Sequence, residues 1–130
     1  MSLYGICKEC NQEYTYSVWC KTCNAKHFQQ NFENWTSGND DIDKFIQDTQ
    51  LSAHFHASKA LEWIPYNRFC NIEYIAKGGF GKVYRANWID GPIHEWGYDN
   101  QNWKRDQNVF VILKSLNNPK IVTSEFMNEV

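Results

Sequence analysis

Two cysteine pairs, Cys7-Lys-Glu-Cys10 and Cys20-Lys-Thr-Cys23, lie nine residues apart and constrain the start of this chain more tightly than any other feature. Each pair can turn both sulfurs toward one point, and the spacing suits a tetrahedral zinc ion held on two knuckle turns. Asn11 and Asn24 follow the two pairs, where a knuckle commonly needs a left-handed residue, and Asn tolerates that conformation better than any residue except Gly. The alternatives are two disulfides, which an intracellular setting disfavours, or four unrelated thiols. A ribbon of this size buries too little surface to fold alone, so the metal would be structural, with four protein ligands and no open position for chemistry. His27 reads as a surface histidine, and the fifth cysteine, Cys70, as a small apolar residue ahead of a strand.

Helical patterning follows. Phe28, Phe32 and Trp35 recur at helical spacing and predict a short amphipathic helix within residues 25–35, packed on the ribbon. Thr36-Ser-Gly-Asn39 breaks the pattern. Asn39-Asp-Asp then supplies a cap and favourable charge for a second helix at about residues 40–50, with Ile42, Phe45, Ile46 and Thr49 on one face. Residues 51–60 lack caps and a clear period, and His54 and His56 within them read as a solvent-facing pair. Pro65 interrupts an apolar lead-in, which places a boundary near residues 60–66.

The second half is organised around Ile75-Ala-Lys-Gly-Gly-Phe-Gly-Lys-Val-Tyr84. Gly78, Gly79 and Gly81 permit a tight turn whose backbone N–H groups can approach an anion. Residues 71–75 alternate polar and apolar, and residues 82–88 are rich in β formers, so the glycines join a hairpin. A dinucleotide fingerprint would need a helix after the glycines, and a Walker loop would need Gly and Ser or Thr where Ala76 and Val83 stand. For the glycines alone, an ordinary tight hairpin is the competing reading.

A third strand, Val109-Phe-Val-Ile-Leu-Lys114, places Ile112 and Lys114 on one face and Val111 and Leu113 on the other. This strand resembles the VAIK strand of protein kinases, and Glu125-Phe-Met-Asn-Glu129 resembles the start of their αC helix. The resemblance implies that Gly78, Gly79, Phe80 and Gly81 cover the phosphates of ATP. It implies further that Ile75, Ala76, Val83 and Ile112 border the adenine and that Lys114, paired with Glu129, holds the α and β phosphates. Ala76 stands where the kinase pattern has its first glycine, and Ile112 where it has a small residue. Together with Asn34-Trp-Thr-Ser-Gly-Asn39 and Leu61-Glu-Trp-Ile-Pro-Tyr66, the chain resembles the tyrosine-kinase-like proteins expanded in arbuscular mycorrhizal fungi.

The expected architecture is therefore α+β. A zinc-ribbon-like leader (residues 1–35) and a helical linker with its lead-in (36–66) precede the antiparallel three-stranded part of a kinase N lobe with the start of αC (67–130). Neither HRD nor DFG occurs in the sequence, so the resemblance implies Mg²⁺-dependent phosphorylation of protein hydroxyls only for a longer parent, of which this chain reads as an inactive N-terminal fragment. The alternative is a binding module, a zinc ribbon that recruits a protein beside a degenerate kinase scaffold. Three lysines balance three glutamates over residues 1–35, which leaves no basic patch for nucleic acid. No apolar run is long enough for a bilayer and no signal peptide is visible, so the expected compartment is intracellular and cytoplasmic. The long Gly-, Asn- and Asp-rich connection at residues 89–108 carries no assignable chemistry, although Trp88, Trp96 and Trp103 argue that it packs locally.

Overall fold

The computed structural model describes residues 3–53, 60–79 and 81–116. Phe80, the histidines at 54 and 56, and the whole of the segment containing Glu129 lie outside these. The fold is α+β and divides into two compact units, the first formed by Met1–Trp63 with Pro92–Asp106 and the second by Ile64–Gly91 with Gln107–Val130. No helix among the described residues is long and apolar enough to cross a membrane.

In the first unit, the cysteine knuckles lead into α1 (Lys21–Gln30), which is followed by a 3-10 turn at Phe32–Asn34 and by α2 (Asp40–Ser52). Helix α1 begins earlier than the apolar spacing predicts. Cys20 is extended and the Asn24 N–H bonds the Cys20 carbonyl at 2.9 Å, so the second knuckle turns directly into the first helical turn. Asn24 is consequently a buried helical residue and not the left-handed one expected, whereas Asn11 does adopt φ 60°. At its far end the helix stops at Asn31, and Trp35, expected within it, is extended.

Helix α2 starts as the sequence indicates. The Asn39 side chain accepts a hydrogen bond from the Ile42 N–H at 3.1 Å, filling one of the orphan donors of the first turn. Asp43 accepts from both the side chain and the N–H of Ser37 and from the Thr36 hydroxyl. These donors, the Ser37 hydroxyl first, hold its carboxyl below the usual carboxylate range. Ile46 and Gln50 face inward, and the Gln50 amide and the Thr49 hydroxyl fasten the carbonyl and N–H of Leu61.

Residues 93–105, read from the sequence as part of a long connection, form an antiparallel hairpin of β3 (Ile93–Gly97) and β4 (Asn102–Arg105). Trp96 and Trp103 are direct cross-strand partners with rings edge to face at 4.9 Å, the geometry favoured by the aromatic quadrupole. The hairpin helps to close the core of the first unit. Ile93 is buried with Trp19, Phe28 and Ala53, and Trp103 packs against them, stacking with Trp19 at 6.0 Å and meeting Phe28 at 4.6 Å. Trp19 is only 2% exposed, and its indole N–H donates to the Ala53 carbonyl, so no polar cost accompanies its burial. A bidentate ion pair between Arg105 and Glu62 ties β4 to the segment after α2.

The second unit is an antiparallel sheet of β1 (Phe69–Gly78), β2 (Gly81–Trp88) and β5 (Val109–Leu116), with β2 in the middle. Its lower end is fastened by a bidentate pair of Arg68 with Asp90, both contacts at 2.8 Å. Two bulges bend β1, between Cys70 and Glu73 and between Tyr74 and Ala76, and Asn71 in the first takes φ 52°. Cys70 lies inside β1 opposite Asn87, not ahead of the strand. One face of the sheet carries the buried Ala86 and Trp88 with half-buried Val109, Val111 and Leu113; the other carries exposed Phe110, Ile112 and Lys114. The two-residue alternation expected along residues 109–114 is thus the one that the register produces.

Candidate functional site

The two knuckles bring the sulfurs of Cys7, Cys10, Cys20 and Cys23 within 4.8 Å of one another. At the first knuckle, Cys7 N–H bonds the Gln12 carbonyl, Asn11 N–H returns to the Cys7 carbonyl, and left-handed Asn11 completes the turn. At the second, the extended Cys20 and the first turn of α1 present Cys20 and Cys23 to the same point. All five cysteines are unpaired thiols, so the disulfide alternative is not realised.

The spacing is that of a metal cage. Cys7 to Cys23 and Cys10 to Cys20 are each 3.8 Å apart, and the edge of a tetrahedron with metal–sulfur bonds of about 2.3 Å is about 3.8 Å. Three of the four cysteines are buried and Cys10 is half-buried. The four residues can hold a metal ion, and nothing in their arrangement leaves an open coordination position.

Electrostatics agree with such an occupant. Burial opposes ionisation of Cys7, but the N–H groups of Cys10 and Glu9, and then the Cys10 thiol and the Tyr98 hydroxyl, bring it down to about 7. Burial pushes the thiols of Cys20 and Cys23 up. A divalent cation held at this point would stabilise the thiolate form of all four sulfurs.

Sequence reasoning missed the surroundings of this cage. Tyr98, at the tip of the β3–β4 hairpin, places its hydroxyl 3.9 Å from Cys7 Sγ and 3.2 Å from the Tyr14 hydroxyl. His27 is not the surface residue expected. Its ring stacks flat on Trp96, 3.5 Å between centroids and 7° between planes, its Nε2 meets Glu9 Oε1 at 2.7 Å, and its side chain is 9% exposed. The physical reason is the hairpin, whose tryptophans supply a partner surface from about seventy residues away in sequence. No local spacing signalled either contact.

The glycine turn of the second unit is a separate candidate. Gly78 pairs with Gly81 across the hairpin, and Gly81 has φ 146°, a conformation that L side chains avoid. Gly79 is different. A Cβ there would meet nothing within 4 Å, and one on Gly78 would reach the Gly81 carbonyl at an ordinary 3.7 Å. Val83 and Lys114 are direct cross-strand partners, and Ile112 lies one step along the same exposed face, opposite Arg85. Ala76 pairs with Val83, while Ile75 occupies the bulge beside it, half exposed. The sheet therefore gathers Ala76, Val83, Ile112 and Lys114 on one face, with Gly78, Gly79 and Gly81 at its turn.

No protein-family model matches the chain, and it matches neither a curated protein nor a solved structure.

Proposed function

We propose that this chain is the ATP-binding N-lobe portion of a protein kinase of the tyrosine-kinase-like group, joined to a module built on a structural zinc ion. The observation that supports the kinase reading best is the placement of Lys114 opposite Val83, two residues beyond Gly81, on the open face of an antiparallel sheet. An ammonium held there can meet phosphates lying under the glycine turn. Gly78 and Gly79 add to this, since no close contact among the described residues requires either to lack a side chain, whereas a backbone donating to a phosphate does. In this reading Ile75, Ala76, Val83 and Ile112 border the adenine. Lys114 orients the α and β phosphates, with Glu129 as its partner; Mg²⁺ and the catalytic Asp groups belong to a catalytic lobe. Four cysteine ligands without an open position assign the zinc a structural role.

Calorimetric titration of MgATP into the chain tests the nucleotide reading. Wild-type protein is expected to bind, Lys114→Met to bind more weakly, and Ile112→Ala to bind about fivefold more tightly, because removing a bulky adenine neighbour relieves about 1 kcal/mol of crowding. In a longer protein with a catalytic lobe, Lys114→Met abolishes phosphoryl transfer. Absence of any Lys114-dependent binding favours the second reading, a degenerate kinase scaffold beside a zinc-based protein-recruiting module. Ile112 is the observation on its side, bulky and one step from Lys114. Elemental analysis under reducing conditions is expected to give about one zinc per chain, lost in Cys20→Ser; protein without stoichiometric metal overturns the zinc assignment.

A further inference from the structure

The β3–β4 hairpin brings one hydroxyl to the cysteine cage from ninety-one residues away along the chain. Cys7 is fully buried, and its sulfur accepts from the Glu9 N–H at 3.4 Å and lies 3.9 Å from the Tyr98 hydroxyl. A divalent ion bound by four thiolates carries a net negative charge, and buried charge of this kind requires outer donors. A phenol is protonated at neutral pH and can supply one. Tyr14 completes the line: its ring packs on the cysteine cluster, and its hydroxyl lies 3.2 Å from that of Tyr98. When Tyr98 donates to the sulfur, its oxygen remains free to accept from Tyr14. Tyr98 itself is held from three sides, by Lys8 Nζ 5.6 Å over its ring, by Gln101 Nε2 donating to its carbonyl at 2.7 Å, and by Tyr14.

We propose that Tyr98 is a positioning residue of the metal centre, donating its hydroxyl proton to the Cys7 thiolate while Tyr14 donates to Tyr98, so that the β3–β4 hairpin forms part of the metal's outer shell. The inference rests on the metal reading of the same four cysteines. It assigns the hairpin a role that neither its composition nor the kinase resemblance suggests. The metal orders Cys7, Cys7 receives Tyr98, and Tyr98 fixes the hairpin tip.

The test compares wild type, Tyr98→Phe, Tyr14→Phe and the double variant, each loaded with zinc or, for spectroscopy, with cobalt(II). Tyr98→Phe keeps the ring and removes only the donor. It is expected to release zinc to a chromophoric chelator about tenfold faster, within the range for loss of an outer-shell partner. The sulfur-to-cobalt charge-transfer band is expected to move to lower energy, because a thiolate without its donor gives up an electron more easily. Tyr14→Phe should act in the same direction but less, and the double variant no more than Tyr98→Phe alone, because the two hydroxyls act in series. A ring that merely packs would alter the thermal midpoint and leave the cobalt band in place. Should Tyr98→Phe fail to fold, Tyr14→Phe decides, since its oxygen is one hydroxyl removed from the sulfur. Full metal loading with unchanged release rate and unchanged band overturns the proposal for Tyr98 and leaves the metal centre standing. A wild-type chain that takes up neither zinc nor cobalt overturns both.

Discussion

The two units solve the problem of a small core in opposite ways. The first gathers distant segments around four sulfurs: Cys7, Trp19, Phe28 and Ile46 are each under 7% exposed, and the hairpin at residues 93–105 supplies the missing wall. The second is a hairpin joined by one further strand, and among its described side chains only Ala86 and Trp88 are buried. Its opposite face leaves Phe110 73% and Ile112 56% exposed. The difference teaches where each unit's stability comes from. The first closes on itself around its cysteine cluster and aromatic residues, whereas the second keeps one more buried face and one exposed face.

On the zinc reading proposed above, removing the metal should break this contrast most completely. A structural four-cysteine zinc site contributes on the order of 10 kcal/mol of binding free energy at neutral pH, which exceeds the stability of most small domains. Chelation is therefore expected to abolish the near-ultraviolet circular dichroism of Trp19, Trp96 and Trp103 while the strands of the second unit keep their slow amide exchange. Simultaneous loss of both sets of signals would show that the sheet has no independent stability.

Trp19→Ala sharpens the comparison within the metal-loaded protein. It removes the largest fully buried side chain and its hydrogen bond to Ala53, at a cost of about 3–5 kcal/mol. Chemical denaturation should register that loss in the first unit. Phe110→Ala, on the exposed face, should cost under about 0.5 kcal/mol.

Two glycines divide the units in the same sense. At Gly97 an added methyl would lie 2.6 Å from Asn100 Oδ1 and 2.9 Å from the Asn102 carbonyl, so Gly97→Ala should cost about 1–3 kcal/mol through overpacking at the turn. Gly79→Ala meets nothing and should leave the thermal midpoint unchanged while weakening ATP binding. A midpoint that falls equally in both variants would mean that the glycine turn of the sheet is structural.

The smallest effect is electrostatic. Asp43 is held below the ordinary carboxylate range by Ser37 and Thr36, so the stability it contributes is fully present above the unfolded value of about 3.9 and is lost as pH falls through the lower folded value. Ser37→Ala should make the first unit less sensitive to acid over that interval, seen as a shallower decline of the thermal midpoint below pH 4, and should leave the second unit unaffected.

Much of this was legible because it is local. The cysteine spacing fixes both knuckles, Asn39 with the following aspartates marks the start of α2, and alternation along residues 109–114 puts Ile112 and Lys114 on one face. What escaped depends on partners far away. Nothing near His27 announces Trp96, and nothing near Cys7 announces Tyr98, because both contacts exist only once the hairpin docks. The helix boundary failed for a related reason: apolar spacing at Phe28, Phe32 and Trp35 indicates a face, but the second knuckle already supplies the first turn, and the chain leaves the helix at Asn31. Asn24 was misread with it. Tertiary context overrode the preference of asparagine for a left-handed turn.

The discontinuity of the first unit also sets an order of events during translation. Its knuckles and both helices precede Trp63, yet its wall at Pro92–Asp106 is synthesised only after the β1–β2 hairpin. At ribosomal speeds of about 5–20 residues per second, the intervening segment Ile64–Gly91 corresponds to about 1–6 seconds. During that interval the four thiols and the inner sides of Trp19, His27 and Phe28 face solvent or whatever waits at the ribosomal exit. On the zinc reading, the nascent chain therefore has a window for metal capture before its aromatic cover arrives, and the latest-made piece of the unit serves as the bolt on its earliest-made one.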